Sequence, residues 1–419
     1  MIPREALDRI RLYDARLHAF VTVADPPVCF TEAPVGTFAV KDLIDVAGVP
    51  TYGGGRNALD PAPARSAAAV ERLLQAGWAM VGKTHTVELA YGGWGTNRAV
   101  GAPWNPWNPQ VHHVPGGSSS GSAVAIAAGL CDLALGTDTG GSLRIPAAIC
   151  GVVGLKPGRG MVSLAGVHPM APSLDTLGTL ARTVATAAQG LQVIGEGRPF
   201  DAAAAMETDV RGRRLVAAPL DELGPVQPDV ARLYRQAIAR LRGLGVEVVE
   251  ARAPQALERF FSVNGLISGA EGWRAWGAHV ERHATDMDPA VVARYRAGAA
   301  TSDARLAQAL SDRTEDQQEF HTWLSGYDGM ILPTCPITGP PLSVVDENTY
   351  PLSRLTRGFN YLDLPAASVP MGVDEDGMPA GLQIVGRPHD ESSMVAFAAA
   401  YERVSGWDGR TPDLSGFSS

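Results

Sequence analysis

Lysine is scarce in this chain. Of its 35 basic residues only three, Lys41, Lys83 and Lys156, are lysines. Acidic residues number 44, so the net charge is -9 at pH 7, and the chain has no basic field that could hold a phosphate backbone. We therefore expect no nucleic-acid partner. A lysine kept where arginine is otherwise used suggests a need for a removable proton, because a guanidinium cannot act as a base.

Long hydrophobic runs and paired cysteines are also missing. The longest apolar stretch, 123–135, is interrupted by Asp132 and is too short to cross a bilayer of about 30 Å. Residues 1–10 alternate in charge and have no apolar signal core. We therefore expect a cytoplasmic protein without a membrane partner. The cysteines are Cys29, Cys131, Cys150 and Cys335. Their spacing fits neither a zinc site nor a redox site, so buried free thiols are expected.

The pattern of apolar residues indicates an α/β protein. The 419 residues are 45% hydrophobic and 19% charged, which is typical of a globular protein, and we treat 1–419 as one domain. Strand and helix patterns alternate along most of the chain, whereas the 200–325 region is mostly helical in pattern, with a strand at Val246–Glu250. This order predicts an α/β layered domain with a helical insertion.

Two glycine- and serine-rich runs, 115–122 and 136–144, are the strongest local signals. A phosphate-binding loop fits the first run poorly, because Ser122 and Ala123 stand where a lysine and a Ser or Thr are needed. A nucleophile elbow centred on Ser119 fits formally, but the proline-rich segment before it cannot form the strand that such an elbow must follow.

A third interpretation joins both runs to a lysine. Gly140, Gly141 and Ser142 form a turn whose backbone N–H groups can converge on a developing oxyanion, with Ser142 as the nucleophile. No histidine or carboxylate has an obvious claim to be its base. Lys41 follows Phe38, Ala39 and Val40 in the strand predicted at 36–44, and it can accept a proton if burial keeps it neutral.

With these residues the sequence resembles the amidase signature family, and the resemblance extends along nearly the whole chain. The matching motifs lie at 39–42, 45–50, 116–129, 136–146, 150–151, 154–157, 173–175, 332–334, 365–372 and 381–388. The resemblance implies the amidase-signature fold, a mixed central β-sheet covered by helices on both faces. It also implies that specificity lies in the variable 200–325 region, for which no motif can be transferred.

The resemblance further implies a Ser–Ser–Lys triad. Lys41 matches the base, and Ser118 matches a bridging serine held by a cis peptide bond. Ser142, 24 residues further on, matches the nucleophile. The backbone N–H groups of the oxyanion hole are implied at Thr139, Gly140, Gly141 and Ser142.

Other residues are expected around this triad. Ser119, Asp138 and Arg144 are expected to hold the two Gly/Ser loops in place by hydrogen bonds. Five residues fall in segments that approach the acyl pocket in this family: Tyr91, Trp94, His168, Cys335 and Tyr361. His279 and His283 share a helix face, but they do not match the metalloprotease pattern, and we expect no metal site.

The implied activity is hydrolysis of a carboxamide C–N bond to a carboxylate plus ammonia or an amine, through an acyl-enzyme on Ser142. The implied substrate is a small-molecule amide, and no metal or organic cofactor is required. An alternative is the glutaminase subunit of a glutamyl-tRNA amidotransferase complex. Those subunits are generally longer and usually carry Gln where this chain has Ile145. Whether the chain forms a homodimer stays open at this stage.

Overall fold

A computed structural model describes residues 1–347, 351–407 and 410–418. Within these ranges, eleven strands form one sheet in the order β1-β3-β2-β4-β6-β5-β10-β11-β9-β7-β8. In chain order the strands are β1 (Phe20–Val28), β2 (Gly36–Lys41), β3 (Trp78–Thr84), β4 (Leu133–Asp138), β5 (Val153–Lys156), β6 (Thr176–Ala181), β7 (Arg214–Ala217), β8 (Glu247–Glu250), β9 (Gly329–Pro333), β10 (Ala366–Val373) and β11 (Pro379–Val385).

The sheet is mixed, as the resemblance implies. Strand β2 pairs in parallel with β3 and β4, and β7 pairs in parallel with β8 and β9. The other neighbours are antiparallel, including β4 with β6 and β10 with β11. Parallel neighbours need a crossover connection, which explains why helices follow strands along most of the chain.

Helices cover both faces of the sheet. They are α1 (Pro3–Leu17), α2 (Ala68–Gln75), α3 (Ser120–Ala127), α4 (Arg144–Cys150), α5 (Val184–Ile194), α6 (Ala202–Glu207), α7 (Pro228–Gly243), α8 (Leu257–His283), α9 (Pro289–Gly298), α10 (Asp303–Leu324), α11 (Arg357–Tyr361) and α12 (Glu391–Glu402). On one face α2, α5, α6, α7 and α12 enclose a large hydrophobic core, and on the other face α1, α3 and α4 enclose a second core.

Strand β2 contributes to both cores because successive side chains of a strand point to opposite faces. Phe38 and Val40 lie in the large core, whereas Ala39 lies in the second core with α3 and α4. The same alternation places Lys41, the last residue of β2, on the face that carries the two Gly/Ser runs.

The 200–325 region is mostly helical, and it also completes the central sheet. It contains the five helices α6 to α10, together with β7 and β8, which form one edge of the sheet. Strand β8 lies within the predicted strand at 246–250. Strand β7 is only four residues long, too short for its alternation to be recognised in the sequence. Strand β1 is likewise hidden in the sequence because it contains Pro26 and Pro27, which an edge strand tolerates.

The structure also shows where the lysines and the cysteines lie. All three lysines are buried: Lys83 forms an ion pair with Asp42 at 2.8 Å, and Lys156 donates to the carbonyl of Pro157. Three of the cysteines are buried free thiols as expected, but Cys29, near the end of β1, is exposed. In the part of the chain that the structure describes, no helix is both long and apolar enough to span a membrane.

Candidate active site

Lys41 lies completely buried at the end of β2 and contacts two hydroxyl groups. Its Nζ donates to Oγ of Ser118 at 2.6 Å and to Oγ1 of Thr137 at 2.7 Å. Burial lowers the pKa of Lys41 to about 7, although the carboxylates of Asp138 and Asp175 act in the opposite direction. Near neutral pH a substantial fraction of this amine is therefore unprotonated and able to accept a proton.

Ser118 sits in a tightly packed turn just before α3. The peptide bond between Gly117 and Ser118 is cis, as the resemblance implies. The carbonyl of Ser118 accepts hydrogen bonds from Oγ1 of Thr86 and from the backbone N–H of Val87. A Cβ at Gly117 would lie 2.8 Å from the backbone nitrogen of Gly95, so this close approach requires glycine.

Ser142 lies beside this turn, in the segment between β4 and α4. The backbone N–H of Ser119 donates to the carbonyl of Ser142 at 3.0 Å, and Oγ of Ser119 donates to the carbonyl of Thr137. Ser142 also lines a cavity. The two Gly/Ser runs thus meet in space, and Ser119 has the positioning contacts expected of it.

A buried ion pair fixes the loop that carries Ser142. Arg144 binds Asp138 through Nε at 3.0 Å and through Nη2 at 2.9 Å, and both side chains are fully buried. Arg144 also donates to the side-chain oxygens of Gln383 and Asn360. Burial alone would raise the pKa of Asp138, but the charge and hydrogen bonds of Arg144 hold that pKa well below its usual range.

The expected oxyanion hole is corrected at one position. The backbone N–H of Gly141 donates to Oδ1 of Asp138 at 2.7 Å, so it is already engaged and cannot receive an oxyanion in this arrangement. The N–H groups of Thr139, Gly140 and Ser142 donate to no other group in the described part of the chain, and these three residues line the cavity. Three donors therefore remain of the four expected.

The loop is further anchored by three residues, of which only Asp175 lies in a motif that the sequence analysis identified. Asp175 accepts a 2.5 Å hydrogen bond from Oγ1 of Thr139, and Asn264 of α8 donates to the carbonyl of Thr139. Thr356 donates through Oγ1 to the carbonyl of Gly140. Asn264 lies in the 200–325 region and Thr356 lies between the motifs at 332–334 and 365–372, so no local signal pointed to either residue.

A small cavity of about 90 Å³ opens next to Ser142. Tyr91 and Trp94 line it, as expected. Three other expected pocket residues lie outside its lining: His168, Cys335 and Tyr361.

The three residues outside the cavity lining are each held elsewhere by different contacts. His168 pairs with Asp45 at 3.1 Å and Cys335 packs in a hydrophobic cluster behind Trp94. Tyr361 is fully buried and donates its hydroxyl to Asp316 of α10.

His279 and His283 lie together near the end of α8, with ring centroids 4.6 Å apart. No group of three or more His, Cys, Asp or Glu side chains within the described ranges is arranged to hold a metal ion. The pair therefore lacks a third ligand from those residues.

The chain is similar in sequence to known proteins. The family model described as Amidase matches residues 36–395. The chain is 36% identical to a glutamyl-tRNA(Gln) amidotransferase subunit of Chloroflexus aggregans, over 91% of this chain and 84% of that protein.

Solved structures give the same result for the fold. A glutamyl-tRNA(Gln) amidotransferase subunit of Thermotoga maritima superposes with a TM-score of 0.87 at 29% identity, covering 99% of this chain and 94% of the other. The peptide amidase of Stenotrophomonas maltophilia superposes with a TM-score of 0.85 at 27% identity, covering 99% and 94%.

Proposed function

The chain belongs to the amidase family, whose members hydrolyse amide C–N bonds, and on this premise we propose that it acts through an acyl-enzyme on Ser142. The proposed catalytic residues are Ser142 as nucleophile, Ser118 as proton relay and Lys41 as general base. The substrate is a small-molecule carboxamide, and the products are a carboxylate and ammonia or an amine.

The observation that carries this proposal is the contact between Lys41 and Ser118. A fully buried amine with a pKa of about 7 can accept a proton at neutral pH, and its 2.6 Å distance from the Ser118 hydroxyl provides a route for that proton. The second contact, to Thr137, orients the amine without competing as a base, since a hydroxyl holds its own proton.

The chemical steps follow from these positions. Ser142 attacks the amide carbon while its proton passes through Ser118 to Lys41, and the oxyanion is stabilised by the free N–H groups of Thr139, Gly140 and Ser142. Lys41 and Ser118 return the proton to the leaving nitrogen, which departs as ammonia or an amine. Water then attacks the acyl-enzyme, with the same relay taking its proton, and regenerates Ser142.

A second candidate function is the glutaminase subunit of an amidotransferase. It is supported by two relatives: the Chloroflexus protein, at 36% identity, and the Thermosynechococcus vestitus protein, at 34% identity, of which this chain covers 96%. These relatives support this candidate better than a stand-alone amidase, even though Ile145 departs from the usual Gln. In that role the chain acts in the cytoplasm, releases ammonia from glutamine and works with a partner protein.

The purified chain should be assayed for ammonia release from aliphatic amides, aromatic amides, ureido compounds and glutamine, with Ser142→Ala as the background control. Each assay is run with and without candidate amidotransferase partners, and gel filtration reports complexes and homodimers. Glutaminase activity that appears only with the partners supports the second candidate. Ser142-dependent turnover of other amides by the chain alone supports a stand-alone amidase. Activity that persists in Ser142→Ala contradicts both.

A further inference from the structure

The cavity beside Ser142 contains an arginine that the proposed mechanism does not use. Arg357, the first residue of α11, lines the cavity together with Ser142 and Gly140. Its side chain packs against the nucleophile loop: a Cβ added to Gly140 would lie 3.0 Å from Cγ of Arg357. The contact from Thr356 to the Gly140 carbonyl, one residue earlier in the chain, holds this segment on the loop.

The guanidinium of Arg357 is fixed in orientation by α8. Its Cζ lies 4.6 Å from the centroid of the Phe261 ring, and a Cβ at Gly265 would lie 3.0 Å from its Nη1. Phe261 and Gly265 are four residues apart and so share one face of the helix. A planar group stacked in this way keeps its N–H groups in a defined fork, which suits a planar anion.

No acidic partner among the described residues balances this charge. The charged residues that line the cavity in the described ranges are Arg294, Glu347 and Arg357. Glu347 is already taken, because it pairs with Arg294 and accepts a hydrogen bond from Thr96. None of the described residues forms an ion pair or hydrogen bond with the Arg357 guanidinium. Residues 348–350, which follow Glu347 in the sequence, are Asn, Thr and Tyr and carry no carboxylate.

A partly buried cation without an ionic partner in the described chain is costly to keep. Burial lowers the pKa of Arg357, and the nearby Arg294 lowers it as well, although Tyr91 acts in the opposite direction. Taking a charge out of water without a partner costs free energy, and an arriving anion removes that cost. The described residues thus form a net positive cavity next to the nucleophile.

We propose that Arg357 binds a carboxylate on the substrate, so that the enzyme prefers amides that carry a carboxylate over uncharged amides of the same size. This inference rests on the proposed function, since it places the bound group beside Ser142. It names Arg357 as a specificity-determining residue that binds substrate and takes no part in proton transfer. A bidentate pair between guanidinium and carboxylate supplies both affinity and orientation of the scissile amide.

The kinetic test compares matched substrates. The wild-type enzyme and Arg357→Gln are assayed with succinamate and glutaramate, and with the uncharged diamides succinamide and glutaramide after correction for their two equivalent amides. We expect Arg357→Gln to lower kcat/KM for the charged amides about 10-fold to 100-fold more than for the diamides, as for other buried charged hydrogen bonds. Arg357→Lys keeps the charge but loses the planar fork, so its kcat/KM for the charged amides should lie between the values for the wild type and Arg357→Gln.

Arg305→Gln is the matched control, because Arg305 is an exposed arginine on α10. It should change neither substrate class. A purely structural role for Arg357 predicts equal losses on charged and uncharged amides, and that outcome overturns the inference.

A binding measurement keeps the test decisive if turnover of these probes is slow. Glutarate and glutaramide are titrated by calorimetry into Ser142→Ala and into the double variant that also carries Arg357→Gln. We expect glutarate to bind Ser142→Ala at least about tenfold more tightly than glutaramide, and the preference to vanish in the double variant. Equal affinities in Ser142→Ala overturn the inference, whereas activity retained by Ser142→Ala contradicts the proposed function itself.

Discussion

The amine of Lys41 and the hydroxyl of Ser118 are separated by 77 residues of sequence and by 2.6 Å in space. Lys41 is the last residue of the central strand β2, and Ser118 lies in the turn just before α3. Both side chains are fully buried, so water does not compete for the contact. The burial that lowers the pKa of the amine therefore also keeps water away from the route of the proton.

The pH dependence of kcat/KM should report the ionisation of Lys41. The base must be neutral in the free enzyme, so kcat/KM should increase about tenfold per pH unit below about pH 7, bend there and reach a plateau above it. The measurement is a pH–rate profile with a neutral amide as substrate. The thermal midpoint should be recorded at each pH, to separate titration from unfolding. A profile that is flat from about pH 5.5 to about pH 8.5 contradicts the assignment of the base.

Replacing Lys41 by arginine tests whether the charge or the removable proton matters. A guanidinium stays protonated throughout the accessible range, so Lys41→Arg should be as inactive as Lys41→Ala. Circular dichroism of both variants checks that the fold survives the loss of a buried amine. If Lys41→Arg kept more than about a tenth of the wild-type kcat, a loss under about 1.4 kcal/mol, the general base would have to be another group.

Ser142→Ala should lower kcat by several orders of magnitude, because it removes the proposed nucleophile. The thermal midpoint should stay nearly unchanged, because a small side chain beside a cavity is removed without breaking any hydrogen bond described for its Oγ. A serine-directed phosphonylating probe should label Ser142 in the wild-type enzyme. Mass spectrometry of the labelled peptide locates the adduct. Labelling at Ser119 would instead favour the nucleophile-elbow interpretation.

Chelation should leave the enzyme active. The proposed base is an amine and the proposed oxyanion donors are backbone N–H groups, so no step calls for a metal ion. Activity after prolonged dialysis against EDTA should equal that of the untreated enzyme. Loss of activity that zinc restores would direct attention to His279 and His283.

Asp138→Asn should destabilise the protein and reduce its activity. It leaves the buried Arg144 without its counter-charge, which costs about 3–5 kcal/mol in comparable buried pairs. The pKa of Asp138 is held below its usual range in the folded state, so the stabilisation is present above about pH 4 and is lost as the pH falls further. Chemical unfolding at about pH 7 and at about pH 3 should therefore show a smaller pH effect in Asp138→Asn than in the wild type.

Asp209→Asn provides the matched control for that experiment. Asp209 is exposed and pairs with Arg211 at the surface, where such pairs contribute little to stability. The thermal midpoint and activity of Asp209→Asn should match those of the wild type. An equal effect of the two substitutions would mean that the Asp138 pair does not anchor the loop.

Much of the active site could be predicted from the sequence, because its chemistry is concentrated in short motifs. A serine and its proposed oxyanion donors lie within four consecutive residues, and one lysine lies within an apolar strand pattern. The alternation of strand and helix patterns predicts the α/β class, and the resemblance to the amidase signature family implies the mixed sheet. Both are confirmed. Strand β7 could not be recognised, since a four-residue strand has too few positions to display a period of two, and its place in the sheet depends on β8 and β9, which lie far along the chain.

The sequence by itself determined which groups carry out the proposed chemistry, and the tertiary structure decided how they are surrounded. Tyr361 illustrates the difference: it lies in α11 with Arg357, but its ring packs against Phe260 and its hydroxyl binds Asp316, outside the cavity lining. Gly141 has an N–H group like its neighbours, yet Asp138 occupies it. The charge of Arg357 stands out only when distant segments meet around Ser142, because burial and ion pairing depend on residues that are far apart in the chain.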